Sequence, residues 1–183
     1  MFQLLSGLDH LSANRVLHRD LKSQNILITN SLDVKIADYG LSRIIEFDQR
    51  PYTNNVVSLF YRAPELLLGC PDYSSAIDIW SCGCILYELA TKVPPFQSKN
   101  ETEQVMLIFE SLGQPRKEDF PETCNLPKII GSSKSQQNFL AKMPQYFINS
   151  TGFDLMRRMF IYDQTKRITA QEAINHEFFS NKL

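Results

Sequence analysis

The sequence predicts a mainly α-helical fold that carries one short β-hairpin. Apolar residues recur at helical spacing in residues 2–11 and 101–112. Residues 74–90 are apolar on nearly all sides, which is typical of a helix buried at the centre of a domain. Two apolar runs, at 26–28 and 34–36, flank a polar turn, and this pattern predicts the hairpin. The 183 residues, 43% of them hydrophobic, suffice for one domain with a sizeable core.

The helix boundaries follow from caps, prolines and apolar spacing. Thr169 and Glu172 form a capping-box pattern, which predicts a helix that starts at residue 170. Residues 113–147 contain four prolines and a polar run, so we expect an insertion with broken helices there. The predicted helices run from residue 1 to near Arg15, from a serine cap at Ser74–Ser75 to a point before Pro94, and over 101–112, 153–160 and 170–176.

Composition excludes several classes of protein. A net charge of −1 gives no reason to expect binding to nucleic acid or to an anionic membrane. Met1 is followed at once by an amphipathic segment, so no signal peptide is predicted, and no apolar run is long enough to span a bilayer. We expect a soluble protein of the nucleus and cytoplasm. Its cysteines, which show no C-x-x-C spacing, are expected to be reduced and mostly buried: Cys70, Cys82, Cys84 and Cys124.

The hairpin brings polar side chains together. Asp20 and Asn25 lie in the loop before the first apolar run, and Asp38 follows the second run. Because a hairpin of this length returns the chain to its start, Asp38 is expected close to Asn25. Two carboxylates and an amide facing one space suit Mg²⁺ shared with phosphates. The alternative is a structural hairpin that carries unrelated acids.

The order His18-Arg19-Asp20-Leu21 followed by Asn25 resembles the protein-kinase catalytic loop, H-R-D-L-x-x-x-N, and Asp38-Tyr39-Gly40 resembles its D-F-G magnesium motif. The resemblance implies a kinase large lobe that uses ATP and Mg²⁺. By the same resemblance, Asp20 orients the substrate hydroxyl and accepts its proton, Lys22 stabilises the transferred phosphate, and Asn25 and Asp38 hold Mg²⁺. Lys22 in this order indicates serine/threonine specificity. His18 is interpreted as a packed structural histidine.

Two further patterns resemble structural motifs of the kinases. Asp78, in a D-x-W-S-x-G pattern, would brace the backbone of the catalytic loop; the alternative is an acid favoured by the helix dipole. Trp80 is expected in the core. Ala63-Pro64-Glu65 matches the A-P-E motif, and the resemblance implies that Glu65 forms a buried ion pair with Arg167.

Residues 41–65 resemble the activation segment of a kinase. Thr53 is the predicted regulatory phosphosite, because Arg19 and Arg43 could pair with a phosphate there and order the loop. The alternative is an ordinary loop threonine, and Tyr52 and Ser58 are weaker candidates.

A pocket for the residue after the phosphoacceptor is implied by the same resemblance, and it is assigned to Val56, Val57 and Arg62. The match suggests a proline in that position of the substrate. Proline has no N–H to leave unpaired, so a backbone carbonyl turned elsewhere does not penalise it.

Over its whole length the sequence is similar to the cyclin-dependent kinases, and it leans towards the branch that partners D-type cyclins. The resemblance implies a cyclin partner, Ser/Thr-Pro protein substrates, an activating kinase, a small regulatory subunit and a role in cell-cycle control. Four residues depart from the family pattern without removing a catalytic atom. Ser23 and Gln164 replace prolines, Tyr39 replaces phenylalanine, and Phe60 replaces tryptophan.

No G-x-G-x-x-G loop and no Val-Ala-Ile-Lys strand occur in the 183 residues. Residues 1–183 are therefore expected to be an incomplete kinase domain, the large C-terminal lobe, cut from a longer chain and inactive by itself. The alternative is a genuine short protein that binds substrates or a regulatory subunit through residues 113–147 without catalysis.

Overall fold

The structure is a computed structural model that describes residues 1–44, 59–126 and 139–180. It is mainly helical with few strands, as the sequence predicts. The helices with defined bounds are α1 (Phe2–Ala13), α2 (Pro64–Leu67), α3 (Ala76–Thr91), α4 (Glu101–Leu112), α5 (Gln145–Ile148), α6 (Thr151–Met159), α7 (Ala170–Ile174) and α8 (Glu177–Ser180). The strands are β1 (Val16–Leu17), β2 (Ile26–Ile28), β3 (Val34–Ile36) and β4 (Arg43–Ile44).

Helix α3 lies at the centre of the core. Its first twelve residues are all buried, which explains why its sequence is apolar on nearly every side. Trp80 is fully buried, and its ring packs against the rings of Phe96 and Phe160. Gly83 permits this close packing, because a Cβ atom there would lie 2.9 Å from the Phe160 ring. The core therefore holds α3 rigidly beneath the loops that it supports.

The predicted hairpin is confirmed. Strands β2 and β3 pair in antiparallel fashion, with Ile26 opposite Ile36. The backbone N–H of Thr29 donates to the carbonyl oxygen of Asp33 at 2.9 Å and closes the turn. Helix α1 packs against β3 and α7, so the hairpin is attached to the helical body on one side.

A second strand pair was not predicted. Strands β1 and β4 are antiparallel, with Leu17 opposite Arg43. Each strand has only two residues, which is too short to show an alternating pattern in the sequence. This pairing brings the segment after Asp38 back to the start of the loop that contains Asp20.

Most helix predictions agree with the structure to within two residues. Helix α4 has the predicted bounds, and the capping box between Thr169 and Glu172 is formed. The helix predicted over 170–176 begins as predicted and ends two residues early, at Ile174, and a separate short helix, α8, follows it. The predicted serine cap is only partly right. The Ser75 side chain, at the N-cap position, makes no cap hydrogen bond and accepts from the Ser12 hydroxyl at 3.0 Å, while the Ser74 hydroxyl accepts from the Ala76 N–H at 3.3 Å.

The prediction of four reduced thiols is wrong for two of them. Cys70 and Cys124 form a disulfide bond, which joins the chain after α2 to the segment after α4. Their 54-residue separation explains why no local spacing pattern indicated the bond. Cys82 and Cys84 are free and buried in α3, as expected. Within the described ranges, no helix has the length and apolar character needed to cross a membrane.

Candidate active site

Asp78 supports the candidate catalytic loop from the first turn of α3. Its Oδ2 accepts from the backbone N–H of His18 at 2.8 Å, and its Oδ1 accepts from that of Arg19 at 2.9 Å. These bonds hold Arg19 at a φ of +69°, which residues other than glycine rarely adopt. Burial raises the pKa of Asp78, and the two N–H bonds oppose that shift. The sequence-predicted brace is therefore present in the structure.

His18 connects the loop to the chain just before Asp38. The imidazole is fully buried, and its Nε2–H donates to the carbonyl oxygen of Ala37 at 3.0 Å. The Tyr39 ring meets it edge-on, with centroids 5.1 Å apart. These contacts give His18 a packing role and place it away from the exposed side of the loop.

Asp20, Lys22 and Asn25 form a compact polar cluster. Lys22 Nζ donates to Asp20 Oδ2 at 2.7 Å, and Asn25 Nδ2 donates to the same oxygen at 3.2 Å and to the Asp20 carbonyl oxygen at 2.8 Å. Both partners thus hold one carboxylate oxygen of Asp20. Its other oxygen, Oδ1, receives no hydrogen bond from the described residues, so it is oriented to accept one from a substrate hydroxyl.

Asp38 lies beside this cluster, because the Ala37 N–H donates to the carbonyl oxygen of Asn25 at 2.9 Å. The Asp38 side chain is exposed, and the backbone of Asp38 has a φ of +64°. Because Asn25 Nδ2 faces Asp20, its amide oxygen points elsewhere and remains available as a ligand. An amide oxygen and an exposed carboxylate are a donor set that suits Mg²⁺ completed by phosphates. Among the described residues, no three His, Cys, Asp or Glu side chains form a metal site of their own.

The two arginines assigned to phosphate pairing lie close together. The pairing of β1 with β4 brings Arg43 beside the start of the loop. Arg43 Nη1 donates to the Tyr73 hydroxyl at 3.4 Å, and the Arg19 guanidinium lies 5.9 Å from the centroid of the Tyr73 ring. Tyr73 thus joins both arginines, and sequence reasoning missed it. Thr53, the predicted phosphosite, lies outside the described residues, as do Tyr52 and Ser58.

Arg62 is buried and bound to the start of α4. Its Nη1 donates to Glu101 Oε1 at 2.6 Å. Glu101 is a second residue that sequence reasoning missed, since nothing local marks it as a partner of a residue 39 positions earlier. Val56 and Val57 lie outside the described residues, so the proline pocket assigned to them and to Arg62 stays a prediction.

The structure brings together Glu65 and Arg167, which the sequence paired by resemblance. Arg167 Nη1 and Nη2 donate to the two carboxylate oxygens of Glu65 at 2.6 and 3.1 Å. The guanidinium also lies 5.1 Å from the centroid of the Trp80 ring. This buried contact fixes α2 to the core below the candidate site.

Comparison with known proteins agrees with this geometry. The model of the protein kinase domain matches residues 1–179. Cyclin-dependent kinase G-1 of Oryza sativa subsp. indica is 46% identical over 98% of this chain, and cyclin-dependent kinase G-2 of the same subspecies is 45% identical over the same share. The alignments cover 27% and 26% of those proteins, so the chain spans about a quarter of the length of the curated relatives it matches.

A chain of the yeast RNA Pol II CTD kinase CTDK-1 complex superimposes with a TM-score of 0.84 at 36% identity. The match covers all of the present chain and 62% of that chain. Sequence family, relatives and fold therefore agree: the chain belongs to the protein kinase family, and it is similar to the cyclin-dependent kinases.

Proposed function

We propose that this chain is the catalytic-loop half of a cyclin-dependent serine/threonine kinase, which transfers the γ-phosphate of ATP to protein substrates. The observation that carries the proposal is the cluster of Asp20, Lys22 and Asn25, with Asp38 beside it. The chain spans about a quarter of the length of its curated relatives, so this activity is proposed for the whole protein.

The residues of the cluster have separate tasks in this reaction. The substrate hydroxyl donates a hydrogen bond to Asp20 Oδ1, and its oxygen attacks the γ-phosphorus while the bond to the leaving ADP oxygen breaks. Asp20 then accepts the hydroxyl proton. Lys22, held at 2.7 Å from Asp20, places a positive charge beside the transferred phosphoryl group. Asn25 and Asp38 would hold Mg²⁺, which neutralises phosphate charge when bound.

The proposed substrates are proteins with serine or threonine followed by proline. The Asp-Leu-Lys order of the loop supports a serine/threonine acceptor, as in the family that the chain resembles. Arg62, next to the end of the predicted activation segment, has its side chain turned into the core towards Glu101. We propose that Arg62 contributes to the pocket for this proline together with Val56 and Val57, which lie outside the described residues.

The proposed partners are a cyclin, an activating kinase that phosphorylates Thr53, and a small regulatory subunit. The names of the relatives support a cyclin. The convergence of Arg19 and Arg43 on Tyr73 supports an anion site formed by these two arginines. We further propose a role in cell-cycle control, with the protein in nucleus and cytoplasm.

A phosphorylation assay tests the proposal. The intact protein, co-expressed with candidate cyclins, is given labelled ATP and two peptides that differ only in having Ser-Pro or Ser-Ala. We expect transfer to the Ser-Pro peptide, at a rate about tenfold to a hundredfold above that for Ser-Ala. Absence of transfer with every cyclin, while the protein still binds partners, would contradict the proposal and favour a non-catalytic binding protein.

A further inference from the structure

Three side chains from distant parts of the chain meet beneath the candidate catalytic loop. The Ser23 hydroxyl lies 3.0 Å from the Tyr61 hydroxyl and 3.4 Å from Glu88 Oε1. The Tyr61 hydroxyl in turn donates to Glu88 Oε2 at 2.7 Å. Ser23 belongs to the loop, Tyr61 ends the segment before α2, and Glu88 lies on α3. We call these three residues the serine triangle.

The protons of the serine triangle can be assigned. Tyr61 is buried, and burial raises the pKa of its hydroxyl, so it stays protonated and gives its single proton to Glu88. The carboxylate of Glu88 can only accept. The Ser23 proton is therefore the donor to the Tyr61 oxygen, with Glu88 Oε1 as its longer second acceptor. Removing the serine hydroxyl would leave the buried Tyr61 oxygen without this donor.

Ser23 lies between the two residues that hold Asp20. Ser23 directly follows Lys22, which donates to Asp20, and it begins the 3₁₀ turn Ser23–Asn25. The side-chain amide of Asn25, at the end of this turn, also donates to Asp20. Within this turn the Asn25 N–H donates to the Lys22 carbonyl oxygen at 3.0 Å. A shift of Ser23 would therefore move Lys22 and Asn25 relative to Asp20.

Helix α3 holds the loop at two points. Asp78 binds the backbone at the start of the loop, and Glu88 binds Ser23 further along it. These two acids are ten positions apart, which corresponds to about 15 Å along a helix. Because α3 is buried in the core, both contacts fix the position of the loop relative to the same helix.

We propose that the Ser23 hydroxyl positions the catalytic loop against the end of the predicted activation segment, through Tyr61 and Glu88. This inference rests on the proposed kinase function and makes Ser23 a positioning residue for the transfer step. The proline usual at this position in the resembled family could not make this contact, because it has no side-chain donor. Proline would restrict the backbone at this position. Serine instead holds it through hydrogen bonds to Tyr61 and to Glu88 on α3.

Kinetics of the intact, cyclin-bound enzyme test the inference with Ser23→Ala, Ser23→Thr and the control Ser6→Ala. Ser6 lies on α1, and among the described residues its hydroxyl bonds only the Phe2 carbonyl oxygen in its own helix. We expect Ser23→Ala to lower kcat about fivefold, the effect of one hydrogen bond, with KM for ATP changed less than about twofold. Ser23→Thr and Ser6→Ala should keep the wild-type kcat.

Coupling to Tyr61 provides a second readout. If both hydroxyls act through the same contact, the double variant Ser23→Ala/Tyr61→Phe should lose no more activity than Tyr61→Phe alone. An unchanged kcat in Ser23→Ala, or a Ser23→Thr variant as slow as Ser23→Ala, would overturn the inference. Fully additive losses would overturn it too. An inactive wild-type enzyme would instead contradict the proposed function.

Amide hydrogen exchange keeps the inference testable without activity. In the 183-residue chain, the N–H groups of Asn25 and Ile26 are bonded within the turn that Ser23 begins. We expect their exchange to be about fivefold faster in Ser23→Ala and unchanged in Ser6→Ala. Equal exchange in wild type and Ser23→Ala would overturn the inference.

Discussion

Replacing Glu65 by glutamine should destabilise this chain strongly, because it leaves a buried guanidinium without its counter-charge. The Arg167 side chain is 0% exposed and that of Glu65 is 2% exposed. The carboxylate receives two hydrogen bonds from Arg167, at 2.6 and 3.1 Å. Glutamine has nearly the same shape but only one oxygen, so one of these bonds is lost together with the charge.

The expected loss of unfolding free energy depends on which hydrogen bonds the Arg167 guanidinium keeps. Breaking a buried ion pair costs about 3 to 5 kcal/mol. In Glu65→Gln the guanidinium keeps three carbonyl acceptors, those of Ala76, Ile161 and Tyr162, so we expect a loss of about 3 kcal/mol. Arg167→Met removes all these donors and leaves a buried carboxylate, so it should cost about 5 kcal/mol, enough to unfold a marginally stable domain.

Urea unfolding measures the free energy of unfolding. The fluorescence of Trp80, the single tryptophan, follows the transition, and its ring lies next to the Arg167 guanidinium. Glu122→Gln is the matched control, because its partner Lys117 lies 3.7 Å away and both side chains are almost fully exposed. This control should leave the free energy of unfolding unchanged. A loss below about 1 kcal/mol in Glu65→Gln would refute the reasoning about the buried pair.

Three further substitutions test local features, each by urea unfolding. Asp78→Asn replaces one acceptor oxygen by a donor opposite a buried N–H and should cost about 2 kcal/mol; a neutral effect would contradict the brace. Thr169→Ala removes the cap of α7 and should cost about 1 kcal/mol, whereas Thr169→Ser should cost little. Hydrogen bonds from Lys166 and Thr165 lower the pKa of Asp163 from 3.8 to about 2, so its carboxylate stabilises the folded chain above pH 4. This contribution disappears as the pH falls towards 2, so the deficit of Asp163→Asn should shrink over that range; a pH-independent deficit would contradict it.

Features that depend on neighbouring residues in the sequence could be predicted. The hairpin follows from two apolar runs around a polar turn, and α4 follows from its apolar residues at helical spacing. The candidate catalytic residues were found because Asp20 to Asn25 lie in one short loop. Asp38 was placed near them by the geometry of the hairpin.

Features that depend on distant residues could not be predicted. Tyr73 and Glu101 contact the site through tertiary packing, and neither has a local signal. The Gln164 side chain shows the same limit: it was noted only as a departure from proline, yet it accepts from the Ser74 backbone N–H and hydroxyl and donates to the Asp72 carbonyl oxygen. Sequence reasoning identified the unusual residue but not its partners.

The most direct test of the account is the rate of phosphate transfer by Asp20→Asn in the intact, cyclin-bound protein. The substitution keeps the shape of the side chain and removes the carboxylate that would orient the hydroxyl and accept its proton. We expect the rate to fall by about a hundredfold or more, with ATP affinity changed less than about threefold. A variant that transfers phosphate within about tenfold of the wild-type rate would contradict the central claim that this loop is the catalytic site.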